Sequence, residues 1–80
     1  MKVTVHCVVS KYVLCAIVQN TNALLRFRFE HPLNIEKLEP GREITVLECE
    51  FSTLTHLINC RRVLDTDVMQ TRTLSRPLLV

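Results

Sequence analysis

Apolar and polar positions alternate near the start of the chain. Val3, Val5, Cys7 and Val9 fall on one side of an extended strand, and Thr4, His6 and Val8 on the other. A tight turn at Ser10-Lys11-Tyr12 would set Val9 across from Val13, Cys7 from Cys15 and Val5 from Ile17. A second turn at Asn20-Thr21-Asn22, where asparagine tolerates positive φ, would set Ile17 across from Leu25, Cys15 from Phe27 and Val13 from Phe29. Together the turns predict one inner face of three rows: Val5/Ile17/Leu25, Cys7/Cys15/Phe27 and Val9/Val13/Phe29. The same register turns Thr4/Val18/Leu24, His6/Ala16/Arg26 and Val8/Leu14/Arg28 outward. A slip of one residue would exchange the two faces.

Residues 33–38 suit one or two helical turns behind Pro32. Glu39-Pro40-Gly41-Arg42 then carries proline and glycine where a type II turn wants them. Further strands are predicted at 43–51 and 57–64, joined near Thr53 to Thr55. That register sets Cys49 across from Cys60 and Phe51 from Ile58, with Leu47 and Leu64 on the same face. On the other face Glu48 meets Arg61, a pair of opposite charges that supports it. Residues 65–80 lose the alternation. They read as a C-terminal tail or short edge strand after a domain at 1–64, either a frayed terminus or a docking peptide.

Composition agrees with a sheet. Ten Val, eight Thr and three Phe stand against a single Gly. Apolar residues make up 48% and charged residues 22%, a folded rather than a disordered composition. Eighty residues make one domain with a small core, stable by on the order of 4–12 kcal/mol. The net charge is only +2, but residues 1–28 hold Lys2, Lys11, Arg26 and Arg28 and no acid, whereas residues 29–50 hold six Glu. The longest fully apolar run, 13–18, is far short of the roughly 18 residues of a membrane helix. His6, Ser10 and Lys11 interrupt any signal-peptide pattern. The expected location is therefore intracellular, cytoplasmic or nucleoid/nuclear. The four cysteines include no CxxC spacing and are expected to be small buried apolar residues, with no metal or other cofactor.

Three strands, a short helical connector, a Pro-Gly turn and two more strands resemble the OB-fold order over residues 3–64. The motif that carries the likeness is Leu38-Glu39-Pro40-Gly41-Arg42-Glu43-Ile44-Thr45-Val46, which looks like the connector entering the fourth strand of many OB domains. The resemblance implies an all-β fold: a small five-stranded antiparallel barrel or highly curved sheet. It also implies one of two roles, single-strand nucleic-acid binding across strands 2 and 3 or service as an assembly subunit.

No Gly-rich phosphate loop, HExxH or nucleophile motif is present, so the expectation is a non-enzyme without a small-molecule substrate. His6 and Cys7 are strand neighbours that point to opposite faces. His56 has no carboxylate assigned to orient it, and His31 before Pro32 reads as a loop residue. The outward face of strands 1–3 is the leading candidate site, because a solvated sheet face should be polar and this one is not. Val8, Leu14, Val18, Leu24, Arg26 and Arg28 are the candidate partner-binding residues of an assembly or adaptor module, pairing with itself as a homodimer or with another protein. The alternative is single-stranded nucleic acid on Lys11, Tyr12, Arg26, Arg28, Arg61 and Arg62, with charge present but stacking aromatics scarce. A third reading is a small viral or phage effector that binds a host protein.

Overall fold

The computed structural model describes residues 1–69. Five strands form the domain: β1 (Lys2–Ser10), β2 (Val13–Val18), β3 (Ala23–Phe29), β4 (Glu43–Ser52) and β5 (Leu57–Val63). They pair in the order β1-β2-β3-β5-β4 and close on themselves as a barrel, the OB-like architecture expected above. One pairing departs from the antiparallel expectation. β3 and β5 run parallel, with Phe27 beside Ile58 and Phe29 beside Cys60. β3 runs in the direction of β1, β4 opposes β1 and β5 opposes β4, so β3 and β5 run in the same direction. β1 and β4 complete the ring through Val3 and Ile44.

The connector before β4 is a single 3-10 turn, Ile35–Lys37, rather than a helix. The Pro-Gly turn forms as the residues dictate: Gly41 takes φ +94°, and the Arg42 amide donates to the Glu39 carbonyl at 3.0 Å. Two hairpin loops share a different closure. Asn22 and His56 both adopt left-handed φ, and each amide donates to the carbonyl four residues back, Val18 and Ser52.

Those loops correct the expected register. Val18 pairs with Ala23, so the second loop holds four residues rather than three, whereas Ser10 pairs with Val13 and the first loop holds two. The errors have opposite sign, so β2 is turned over while β3 keeps its expected face. Leu14 and Ala16 point inward and are fully buried, and Val18 and Val8 pack against the core. Val8, Leu14 and Val18 therefore do not belong to an outward apolar face. Val13, Cys15 and Ile17, expected inside, lie half-buried on the outer wall. The Cys7–Cys15 and Val8–Leu14 pairs form as expected, but on exchanged faces.

β1 also changes phase. Bulge-type irregularities between Val5 and Cys7 and between Val8 and Ser10 bend it without any glycine. Val3 and Val5 point inward, Cys7 is exposed, Val8 turns in, and Val9 is exposed by 57%. In β4 Glu48 takes a left-handed φ of +54°, and the register with β5 is the same on either side of it. Cys49 faces Cys60 and Phe51 faces Ile58 as expected, but Phe51 projects past the core and Leu64 is exposed.

The core joins Val3, Val5, Leu14, Ala16, Phe27, Phe29, Ile44, Val46, Ile58 and Cys60 from the strands with Leu33, Leu38 and Val68 from outside them. Val68 belongs to a second 3-10 turn, Thr66–Val68, and Met69 bridges to Leu33. The packed unit therefore runs past residue 64. Residues 70–80 of the expected tail lie outside the described residues. Polar contacts fasten this segment. Asp65 accepts from the Thr45 amide at 2.8 Å. Arg42 reaches both Asp67 carboxylate oxygens at 2.8 Å and the Lys37 carbonyl at 2.9 Å. Among the described residues no helix is long and apolar enough to cross a membrane.

Two predictions follow from this packing. Leu14→Ala should destabilise the chain by about 2–5 kcal/mol in urea unfolding, and Ile17→Ala by less than about 1.5 kcal/mol. The reverse ranking would restore the opposite orientation of β2. The second prediction concerns pH. The Arg42 guanidinium holds the Asp67 carboxyl below its ordinary value of 3.8. As pH falls, the unfolded chain takes up that proton first. The stabilisation is complete above the ordinary value and is lost as pH falls through the lowered one. Asp67→Asn should therefore be less stable than the parent at pH 7, and the gap should narrow below pH 3.8. A gap that is constant across that range would contradict the pairing.

Candidate interaction surface

The barrel register sorts the outer wall of β1–β3 into three rows. Thr4, Ile17 and Leu24 form one, Cys7, Cys15 and Arg26 the next, and Ser10, Val13 and Arg28 the last. Val9 projects beside them from its bulge. Leu24 is 54% exposed and Arg26 and Arg28 are exposed, whereas Val13, Cys15 and Ile17 lie half-buried between their neighbours. No acid occurs in residues 1–29, so no strand of this wall carries a carboxylate. Arg26 and Arg28 form no ion pair among the described residues.

This wall is the apolar, arginine-bearing face expected from the sequence, built from a partly different set of residues. Leu24, Arg26 and Arg28 stand where they were placed. Val9, Val13, Cys15 and Ile17 take the positions assigned to Val8, Leu14 and Val18. The signal that would have found them is the Asn22 loop, since one more residue in that turn inverts β2. Leu33, Leu38 and Val68 are buried in the core and not on the wall.

The second feature is an open cleft of about 540 Å³ lined by β3, β4 and β5. Its walls include Tyr12, Arg28, Glu30, Glu50, Asn59 and Arg61. Tyr12 lines it, and the Lys11 ammonium lies 5.7 Å from the centre of the Tyr12 ring. The six residues considered for nucleic acid are thus only partly united. Tyr12, Arg28 and Arg61 share the cleft, with Lys11 beside Tyr12. Arg26 is one row away on the outer wall. Arg61 pairs with Glu30 at 3.4 Å, and Arg62 with Glu48 at 3.2 Å, where Arg61 was the expected partner of Glu48. The Glu30, Glu48 and Glu50 side chains also line the cleft, and a phosphate backbone would meet them.

The third exposed feature is the β4–β5 hairpin tip. Leu54 is 93% exposed there, and Phe51 lies 6.4 Å from His56 between ring centres. The four cysteines do not converge. Cys7 and Cys15 share the outer wall, whereas the Cys49 and Cys60 sulfurs lie 2.8 Å apart between β4 and β5. Among the described residues no three His, Cys, Asp or Glu side chains gather in metal-binding fashion. Compared with protein-family models, curated proteins and solved structures, the chain matches none.

Proposed function

We propose that this chain is a non-catalytic assembly module that binds a protein through the outer wall of β1–β3. One observation carries the reading: the wall is apolar although the barrel already has a complete core on its other side. Apolar area turned outward from a finished core contributes nothing to that core, and removing it from water is worth about 25 cal/mol per Å² to whatever covers it. Charge narrows the partner. The wall presents Arg26 and Arg28 without a carboxylate, so the partner surface is apolar with acidic groups at its margin. A second copy of the chain supplies the apolar part of that surface through its own wall, and the acidic margin has to come from Glu residues of 29–50 outside the wall. In this reading Val9, Val13, Ile17 and Leu24 supply buried area, and Arg26 and Arg28 set orientation.

A second reading, single-stranded nucleic acid, is favoured by one specific arrangement: Arg28 without an ion-pair partner beside Tyr12 and Lys11. The three cleft carboxylates weigh against it.

Light scattering after size exclusion separates the readings. The parent chain should form a dimer that persists in high salt. Leu24→Asp should weaken association by about 100-fold or more, because an unpaired charge would be buried, while circular dichroism and Tm stay unchanged. A parent that stays monomeric at every concentration, or a Leu24→Asp variant that still dimerises like the parent, would overturn self-assembly. For the second reading, a labelled oligonucleotide should bind with a salt slope that flattens by about 0.7 per arginine when Arg26 or Arg28 is replaced by alanine. An unchanged slope would remove both from the contact.

A further inference from the structure

Cys7 and Cys15 meet across β1 and β2 on the outer wall. Facing residues of an antiparallel pair have Cα atoms about 4.5–5.5 Å apart, inside the roughly 4.4–6.8 Å span that a disulfide requires. β1 is shaped around this encounter. The irregularity between Val5 and Cys7 turns Cys7 out of the inward phase of Val3 and Val5, and the one between Val8 and Ser10 follows at once. The neighbouring Cys15 thiol is the main reason the Cys7 thiol is pushed up from its ordinary value, and the Arg26 guanidinium pulls against it.

The other cysteine pair differs in access rather than in proximity. Cys49 and Cys60 touch at 2.8 Å, but Cys60 is only 1% exposed. Burial pushes its thiol far up from the ordinary value, which suppresses the thiolate needed for exchange. The barrel thus holds one pair with an exposed thiol, Cys7, and one with a buried thiol, Cys60, each facing a half-buried partner.

We propose that Cys7 and Cys15 are a thiol-modification site, closing to a reversible disulfide within one chain when a small disulfide such as oxidised glutathione is supplied. The chemistry balances as two exchanges. One cysteine thiolate attacks a sulfur of the small disulfide, forming a mixed disulfide and releasing one small thiolate. The second cysteine, deprotonated, then attacks the protein sulfur of that mixed disulfide and releases the other. Two electrons pass to the oxidant, and the two protons end on the released thiols. The inference stands on the cysteine geometry, and because both cysteines lie on the wall of the proposed interface, the exchange is tested on the chain diluted until it is monomeric.

Trypsin gives a direct readout. Cleavage at Lys2, Lys11 and Arg26 puts Cys7 in peptide 3–11 and Cys15 in peptide 12–26, whereas Cys49 and Cys60 share peptide 43–61. The reduced full chain is equilibrated with glutathione buffers of increasing oxidation, alkylated, digested without reductant and weighed. The expected product is peptide 3–11 joined to peptide 12–26, two hydrogens lighter than their sum, released by reductant and formed before any bridge in 43–61. Cys7→Ser and Cys15→Ser should each abolish it while keeping the parent circular dichroism, since neither side chain belongs to the core. Four results would overturn the proposal: both thiols alkylated or only singly glutathionylated throughout, a bridge in 43–61 forming first, the 3–11/12–26 product appearing only in denaturant, or a link between two chains in its place.

Discussion

Three residues of parallel pairing, Phe27–Phe29 against Ile58–Cys60, convert a curved sheet into a closed wall. Without them β3 and β5 would be two open edges, and Phe27 and Phe29 would line a trough instead of a core. Burying each phenylalanine is worth about 1.5–3 kcal/mol, large against the stability of an eighty-residue domain. The same contact sets Arg28 and Glu30 beside Asn59 and Arg61, which makes the cleft. Closure also fixes what is outside. Once the inner face is full, the apolar residues of the outer wall contribute to no core of their own.

The barrel closes with one glycine, and that glycine lies in a turn. Curvature comes from two backbone irregularities in β1 instead. Each costs regular pairing, and each changes which side chains face out. Cys7 and Val9 reach the surface for this reason. The bending of the barrel and the chemistry of its surface are therefore one design, since straightening β1 would return Cys7 to the inward phase of Val3 and Val5.

How much of this was legible in the sequence depended on contrast along each strand. β3 was readable because Arg26 and Arg28 interleave with Phe27 and Phe29, so only one phase buries the rings. β2 was not, because all six residues from Val13 to Val18 are apolar and a one-residue slip leaves the pattern unchanged. What settles its phase is a backbone hydrogen bond, the Asn22 amide to the Val18 carbonyl, which lengthens a loop by one residue. The Pro-Gly turn was legible because its residue types fix its geometry. The parallel pair was not, because strand patterning carries no direction. The packing of Val68 was also hidden, since it depends on Asp65 and Asp67 finding the Thr45 amide and Arg42 across the fold.

The central claim is that the outer wall of β1–β3, not the cleft or the hairpin tip, is where this molecule meets another. Amide chemical shifts recorded as the protein is diluted test it most directly. Concentration-dependent shifts should cluster on Val13, Cys15, Ile17, Leu24 and Arg26 and leave Leu54 and Glu50 still. Shifts confined to Leu54 and Phe51, or to Glu50 and Asn59, would contradict the account and move the interface to the hairpin tip or the cleft.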